Sequence, residues 1–208
     1  MMAEPKVLVL GSNGQVGSAL NILLKNVICL GRKNADLSRP ETLPEIVKSI
    51  CPDIMINAAA YTQVDKAESE RETAFAVNAH APEILAKTAA EMNIPFVHYS
   101  TDYVFDGSGE KAWTEADKTN PINIYGASKL AGENAVIKLG GKYLIFRTSW
   151  VYDAYGKNFL NSMLGLGAKH EILKVVSDQY GAPTYAPHLA YATIAGIETA
   201  MAQINFPS

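Results

Sequence analysis

Short unbroken apolar runs alternate along the chain with longer stretches whose apolar residues recur at helical spacing. The run VLVL within residues 6–10 is too short for a helix and carries no polar alternation, which predicts a strand buried on both faces. VICL (27–30), DIMIN (53–57), IPFVHYS (94–100), KYLIFRTS (142–149) and EILKVVS (171–177) read the same way, giving six strands. Between them the spacing predicts helices over 14–25 and 39–50, the second with Pro40 near its first turn. A long helical stretch from about 65 to 92 is bent or interrupted around Pro82, and a further helix over 122–140 stops at Gly140. Helices over 158–169 and 186–202 follow, whereas the polar stretches 102–120 and 178–184 read as loops. This alternation predicts an α/β fold, a doubly wound, Rossmann-like parallel sheet of six strands with helices on both faces. The expected strand order is 3-2-1-4-5-6, with ligands bound outside the carboxyl ends of the strands.

Composition narrows the functional classes. The 208 residues, 48% hydrophobic and 19% charged, read as a single globular domain spanning 1–208. A net charge of −3 without a basic stripe argues against a nucleic-acid partner. No apolar stretch approaches a membrane span. The four histidines lack metal-ligand spacing, so no metal is expected, and His98 reads as a satisfied core residue. Cys29 and Cys51 lie in apolar surroundings with no Cys-x-x-Cys pairing. They read as small core residues of a reducing cytoplasm rather than as a disulfide.

The first strand runs directly into GSNGQVG, which places Gly11, Gly14 and Gly17 at three-residue spacing before a helix. A tight turn and the close approach of a pyrophosphate both exclude side chains there, and the helix N-terminus offers free N–H groups. A glycine-rich turn alone is a weak signal; its position between strand and helix makes it a dinucleotide cradle. After the second strand, Gly31 stands where an NAD-preferring site carries a carboxylate, and Arg32 and Lys33 follow. That pattern favours NADPH, with solvated surface charge the alternative for the two cations and NADH the alternative cofactor.

In NIYGASK, Tyr125 precedes Lys129 by one helical turn, which puts a phenol and an amine on one face. The pair alone arises readily by chance. Hydride delivered to a carbonyl carbon leaves charge on oxygen, which needs a proton from a placed acid. Tyr125 can supply that proton, and a nearby Lys129 cation lowers the phenol's pKa and can also hold the nicotinamide ribose, which puts Tyr125 and Lys129 among the cofactor-binding residues as well. Ser100 and Thr101, ending the fourth strand, add hydroxyl donors for the same oxygen.

With GSNGQVG, DIMINAAAYTQVDKAESE, VHYSTDYVFDG, PINIYGASKLAGE, LIFRTSWVY and DQYGAPT in this order, the chain resembles the extended short-chain dehydrogenase/reductase superfamily. Within it the chain is similar to the dTDP-4-dehydrorhamnose reductase family. The resemblance implies NADPH-dependent reduction of the C4 ketone of a dTDP-4-dehydro sugar in the cytoplasm, with Thr101, Tyr125 and Lys129 as catalytic triad. It implies pyrophosphate contacts from Gly14, Gln15 and Val16, adenine contacts from Asp36 and Leu37, and a cofactor wall of Ala60, Tyr61, Thr62 and Tyr99. Thr101, Asp102 and Trp150 would meet the sugar nucleotide, with Tyr103 and Val64 nearby. Structural alternatives stay open: an aromatic plug for Trp150, a turn or cap for Asp102, a turn or helix cap for Asp36. Members of the family are longer, so a C-terminal substrate lobe is expected to be largely absent from these 208 residues, and a homodimer is left open. Two rival readings share the motifs. A nucleotide-sugar dehydratase or epimerase uses the same triad, but a dehydratase needs an Asp-Glu pair after the threonine for elimination, and the sequence is Thr101-Asp102-Tyr103. A regulatory dinucleotide-binding subunit would need no Tyr–Lys pair.

Overall fold

The computed structural model describes residues 4–203 and Phe206. The strands of the main sheet are β1 (Val7–Leu10), β2 (Val27–Leu30), β3 (Ile54–Asn57), β4 (Phe96–Thr101) and β5 (Tyr143–Thr148). All are parallel, in the order β2-β1-β3-β4-β5. The Rossmann-like parallel architecture matches the expectation; two details differ. The third strand crosses to the far side of β1 instead of flanking β2, so the switch point lies between β1 and β3. The sixth strand does not form. Residues 171–177 have no sheet neighbour and lie exposed, Ile172 at 82% and Val176 at 65%. A β-branched run becomes a strand only where another strand supplies its hydrogen bonds. Two short strands, β6 (Val151–Tyr152) and β7 (Thr184–Tyr185), pair separately.

The strand residues alternate between two cores. Leu8, Leu10, Met55 and Phe96 pack under α2 (Leu43–Ile50), α5 (Ala81–Met92) and α6 (Ile124–Leu139). Val7, Val9, Ile54, Ile56 and Val97 pack under α1 (Gln15–Leu23) and the C-terminal helix α8 (Ala186–Ala202). Burial on both faces is why these strands read as unbroken apolar runs. The long central helix is divided into α3 (Val64–Ala67), α4 (Arg71–Phe75), a π turn (Ala76–His80) and α5, with Pro82 just inside α5. The interruption falls at residues 68–70, between α3 and α4, while at Pro82, which lacks an N–H, the helix changes from the π turn to α5. The predicted helix near 158–169 is α7 (Phe159–Gly167), which buries none of its residues.

Cys29 is partly buried, as expected of a small core residue, but Cys51 is not. It is exposed and ends α2 at φ +50°, in the left-handed conformation that closes many helices. No helix among the described residues is long and apolar enough to cross a membrane.

Candidate active site

Parallel strands bring their carboxyl ends to one edge, and the candidate residues collect there. Gly11–Gly17 follow β1, Gly31 and Arg32 follow β2, and Ala60–Thr62 follow β3. Thr101 closes β4, Asp102 and Tyr103 form a 3-10 turn behind it, and Trp150 follows β5.

The glycine cradle is built by close approach. Gly11 sits at φ +89°, and a Cβ there would lie 2.5 Å from the Ala59 amide nitrogen. A Cβ on Gly17 would run into the Gly11 carbonyl. Helix α1 starts behind Gly14 with no side chain capping it, so its first N–H groups have no side-chain acceptor. Those residues fit a pyrophosphate. The Gln15 side chain is engaged elsewhere, donating to the Val151 carbonyl at 3.1 Å and accepting from Asn158 at 2.8 Å. Gln15 therefore offers this cradle its backbone. Val16 packs against the core under α1.

Beyond β2, Arg32 is exposed and its Nε lies 3.5 Å from Asp36 Oδ1. The same carboxylate accepts from the backbone N–H and hydroxyl of Ser38 at 3.0 and 2.8 Å. Partial burial pushes the Asp36 carboxyl up, but the Ser38 hydrogen bonds and the Arg32 charge outweigh it and hold it low. Asp36 thus closes a turn and tethers Arg32. Leu37 is 4% exposed and belongs to the core beside Leu43, so its side chain faces inward. Ala60 and Thr62 are exposed, while Tyr61 is anchored through its N–H to Asn78 Oδ1 at 2.9 Å and through its hydroxyl to Glu70 at 2.8 Å.

Helix α6 carries Tyr125 and Lys129. Asn123 caps it, its Oδ1 accepting from the Gly126 N–H at 2.7 Å. A Cβ on Gly132 would strike the Asn78 carbonyl, so the absence of a side chain seats the helix against the π turn. Tyr125, Lys129 and Glu133 share one face at four-residue spacing. Burial pushes the Tyr125 phenol up to about 12, with the nearby Thr101 hydroxyl opposing. The ring meets Tyr103 edge to face at 5.5 Å. Thr101 Oγ1 donates to Asp102 Oδ1 at 3.1 Å and accepts from the Tyr103 N–H at 3.2 Å. Burial raises the Asp102 carboxyl, with the Thr101 hydrogen bond opposing.

Lys129 is 2% exposed. Its Nζ donates to the Tyr99 carbonyl at 2.5 Å and lies 3.4 Å from His98 Nε2. Burial draws its pKa down to about 8, opposed by the Glu133 charge. The sequence reading has Lys129 acidifying the phenol; here the amine leans on β4 instead, and burial, Thr101, Asp102 and Tyr103 set the phenol's pKa. Tyr99 also departs from its expected place on the cofactor wall. Its phenol is buried under α8, 2.6 Å from the Thr193 hydroxyl, because the residue points to the face opposite His98. Only its carbonyl serves the site.

Asp102 also lines a cavity of about 260 Å³ with Phe105, Trp113, Arg147 and Thr148. Trp150, at φ +46° and 45% exposed, lies beside it with its ring against Gly181, where a Cβ would come within 2.7 Å of the indole. Three sets of residues escape the sequence reading: Asn57 with His98, Asn78 between Tyr61 and Ser128, and Glu133 with Arg147. Glu133 alone left a trace, as the next member of the Tyr125–Lys129 stripe.

The RmlD substrate binding domain family matches residues 5–206. The chain is 51% identical over 199 residues to a dTDP-4-dehydrorhamnose reductase of Burkholderia thailandensis, covering 94% of this chain and 67% of that one. It is 48% identical over 202 residues to the enzyme of that name from Escherichia coli K12, covering 94% and 68%. It therefore spans about two thirds of these relatives' length. A crystal structure of the Bacillus anthracis dTDP-4-dehydrorhamnose reductase in complex with NADP superposes with a TM-score of 0.91 at 39% identity, covering 95% of this chain and 72% of that one. Sequence and fold agree on one lineage, and the chain belongs to the RmlD family, that of the dTDP-4-dehydrorhamnose reductases.

Proposed function

We propose that the chain reduces the C4 ketone of dTDP-4-dehydro-L-rhamnose with NADPH, giving dTDP-L-rhamnose. One observation carries this reading: Tyr125, packed edge to face on Tyr103 next to Thr101, stands at the carboxyl edge of the sheet, with Lys129 one turn behind and the glycine cradle at the same edge. NADPH, when bound, supplies a hydride to C4. Gly11, Gly14 and Gly17 with the backbone of Gln15 and Val16 would hold its pyrophosphate, and Arg32, tethered by Asp36, would face the 2′-phosphate. Tyr125, protonated across the whole working range, donates its proton to the ketone oxygen. Thr101 would hold that oxygen by turning its one hydroxyl hydrogen from Asp102 to the ketone, while the Tyr103 N–H keeps its Oγ1 in place. Trp150 and Asp102 would border the sugar. The Bacillus anthracis relative with NADP supports the choice of cofactor.

Mixing the protein with NADPH and the 4-dehydro sugar should consume NADPH absorbance in step with product, more efficiently than with NADH. A protein that binds NADPH yet leaves this sugar unreduced would sink the reading.

The site also predicts a pH profile. Lys129 carries a pKa lowered to about 8, so its positive charge is lost as pH rises through that value. The phenol, near 12, keeps its proton throughout. The Lys129 charge would serve by holding the nicotinamide ribose, so we expect kcat/KM for reduction to hold level up to about pH 8 and then to fall roughly tenfold per pH unit. Initial rates in overlapping buffers from pH 6 to pH 10 test this.

A further inference from the structure

Donors and acceptors behind Lys129 can be assigned one by one. The Ala59 N–H donates to Asn57 Oδ1 at 3.1 Å, which fixes the orientation of that amide. Asn57 Nδ2, which can only donate, is then the atom 3.3 Å from His98 Nδ1. His98 Nδ1 therefore accepts. Complete burial and the neighbouring Lys129 hold the imidazole well below its ordinary pKa, so it is neutral and its one hydrogen lies on Nε2. That N–H faces Lys129 Nζ at 3.4 Å. Nζ must at the same time donate to the Tyr99 carbonyl. A neutral amine satisfies both neighbours, its lone pair taking the His98 hydrogen while one of its own goes to Tyr99. An ammonium has no lone pair and would meet His98 donor to donor.

We propose that His98, locked by Asn57 in its Nε2–H tautomer, is a positioning residue that favours the neutral amine of Lys129, holds it against β4, and so sets the pH at which the site loses that charge. Among the described residues, the charged group that acts on Lys129 from its own helix α6 is Glu133, itself paired with Arg147 of β5; from β4 the titratable group is His98, since Tyr99 offers only its carbonyl and turns its phenol to the opposite face. Glu133 pulls the other way, towards the ammonium. The two neighbours therefore act as opposed biases on one amine. The consequence for turnover rests on the reductase reading above; the tautomer does not.

Asn57→Asp tests it. A carboxylate there still accepts from Ala59 but can no longer donate to His98, which moves the imidazole hydrogen to Nδ1 and turns an Nε2 lone pair towards Lys129. Without added dinucleotide, ¹⁵N spectra of the histidines should place the hydrogen on Nε2 in the parent protein and on Nδ1 in Asn57→Asp. A ¹³C titration of the lysine ε-carbons should show the Lys129 midpoint rising by about one pH unit in Asn57→Asp. In a His98→Phe background, where the ring carries no hydrogen to move and no polar atom to turn, the same substitution should move it clearly less. The alkaline limb of kcat/KM should follow the Lys129 midpoint. A hydrogen on Nδ1 in the parent protein, or equal Lys129 shifts in both backgrounds, overturns the proposal. Loss of turnover in every form, with these spectra as expected, counts against the reductase reading and leaves the tautomer assignment standing.

Discussion

Tyr125→Phe is expected to lower kcat for ketone reduction by about 10²–10⁴-fold, the usual contribution of a placed proton donor. Phe keeps the ring and its edge-to-face contact with Tyr103, and removes only the hydroxyl. The proton must then come from water, which the burial around this phenol restricts. NADPH affinity should change little, because the glycine cradle and the Arg32–Asp36 turn are untouched. Fluorescence titration with NADPH beside steady-state rates separates the two effects. A variant that keeps kcat within tenfold of the parent would remove Tyr125 from the chemistry.

The largest stability effect is expected at Arg147. Its guanidinium grips Glu133 with Nε–Oε1 at 3.0 Å and Nη2–Oε2 at 2.7 Å, and Glu133 is only 1% exposed. Arg147→Met strands that carboxylate in the interior, a loss of about 3–5 kcal/mol. The same guanidinium lies over the Phe105 ring at 5.1 Å, and Phe105 stacks on Trp113 at 4.6 Å, so the loop behind β4 loosens as well. The double variant Arg147→Met/Glu133→Leu should recover most of the loss, since two apolar groups leave no charge to solvate. Urea unfolding of the parent and both variants tests this. A single variant within 1 kcal/mol of the parent, or a double variant no better than the single, would refute it.

These two sites were unequally legible in the sequence. Tyr125 and Lys129 announce themselves through spacing on one helix, and the glycine cradle through its place between a strand and a helix. Those are local signals. The partner of Glu133 lies 14 residues away on a strand, and that of His98 lies 41 residues away on another, so neither pairing leaves a periodic trace. The strands were readable because two-sided burial leaves unbroken apolar runs. The same rule misled at 171–177, where an apolar run finds no sheet to join. Strand order was misread for a related reason. The pattern between β2 and β3 predicts one connecting helix, and says nothing about which side of β1 the chain returns to. Tyr99 shows the limit at a single residue: strand alternation sends its ring to the α8 face, and its neighbours in sequence do not reveal which face holds the crevice.

Every pairing in the main sheet is parallel. No two of these strands can therefore zip together from a tight hairpin; each must wait for a long connection to close. Refolding from denaturant is accordingly governed by long-range loop closure rather than by local nucleation, and belongs to the slower regime of comparable domains. The crevice inherits this timing. Its walls come from residues as far apart as Gly11 and Trp150, so proton-transfer geometry emerges only when the whole sheet is in place, and partly assembled chains carry none of it.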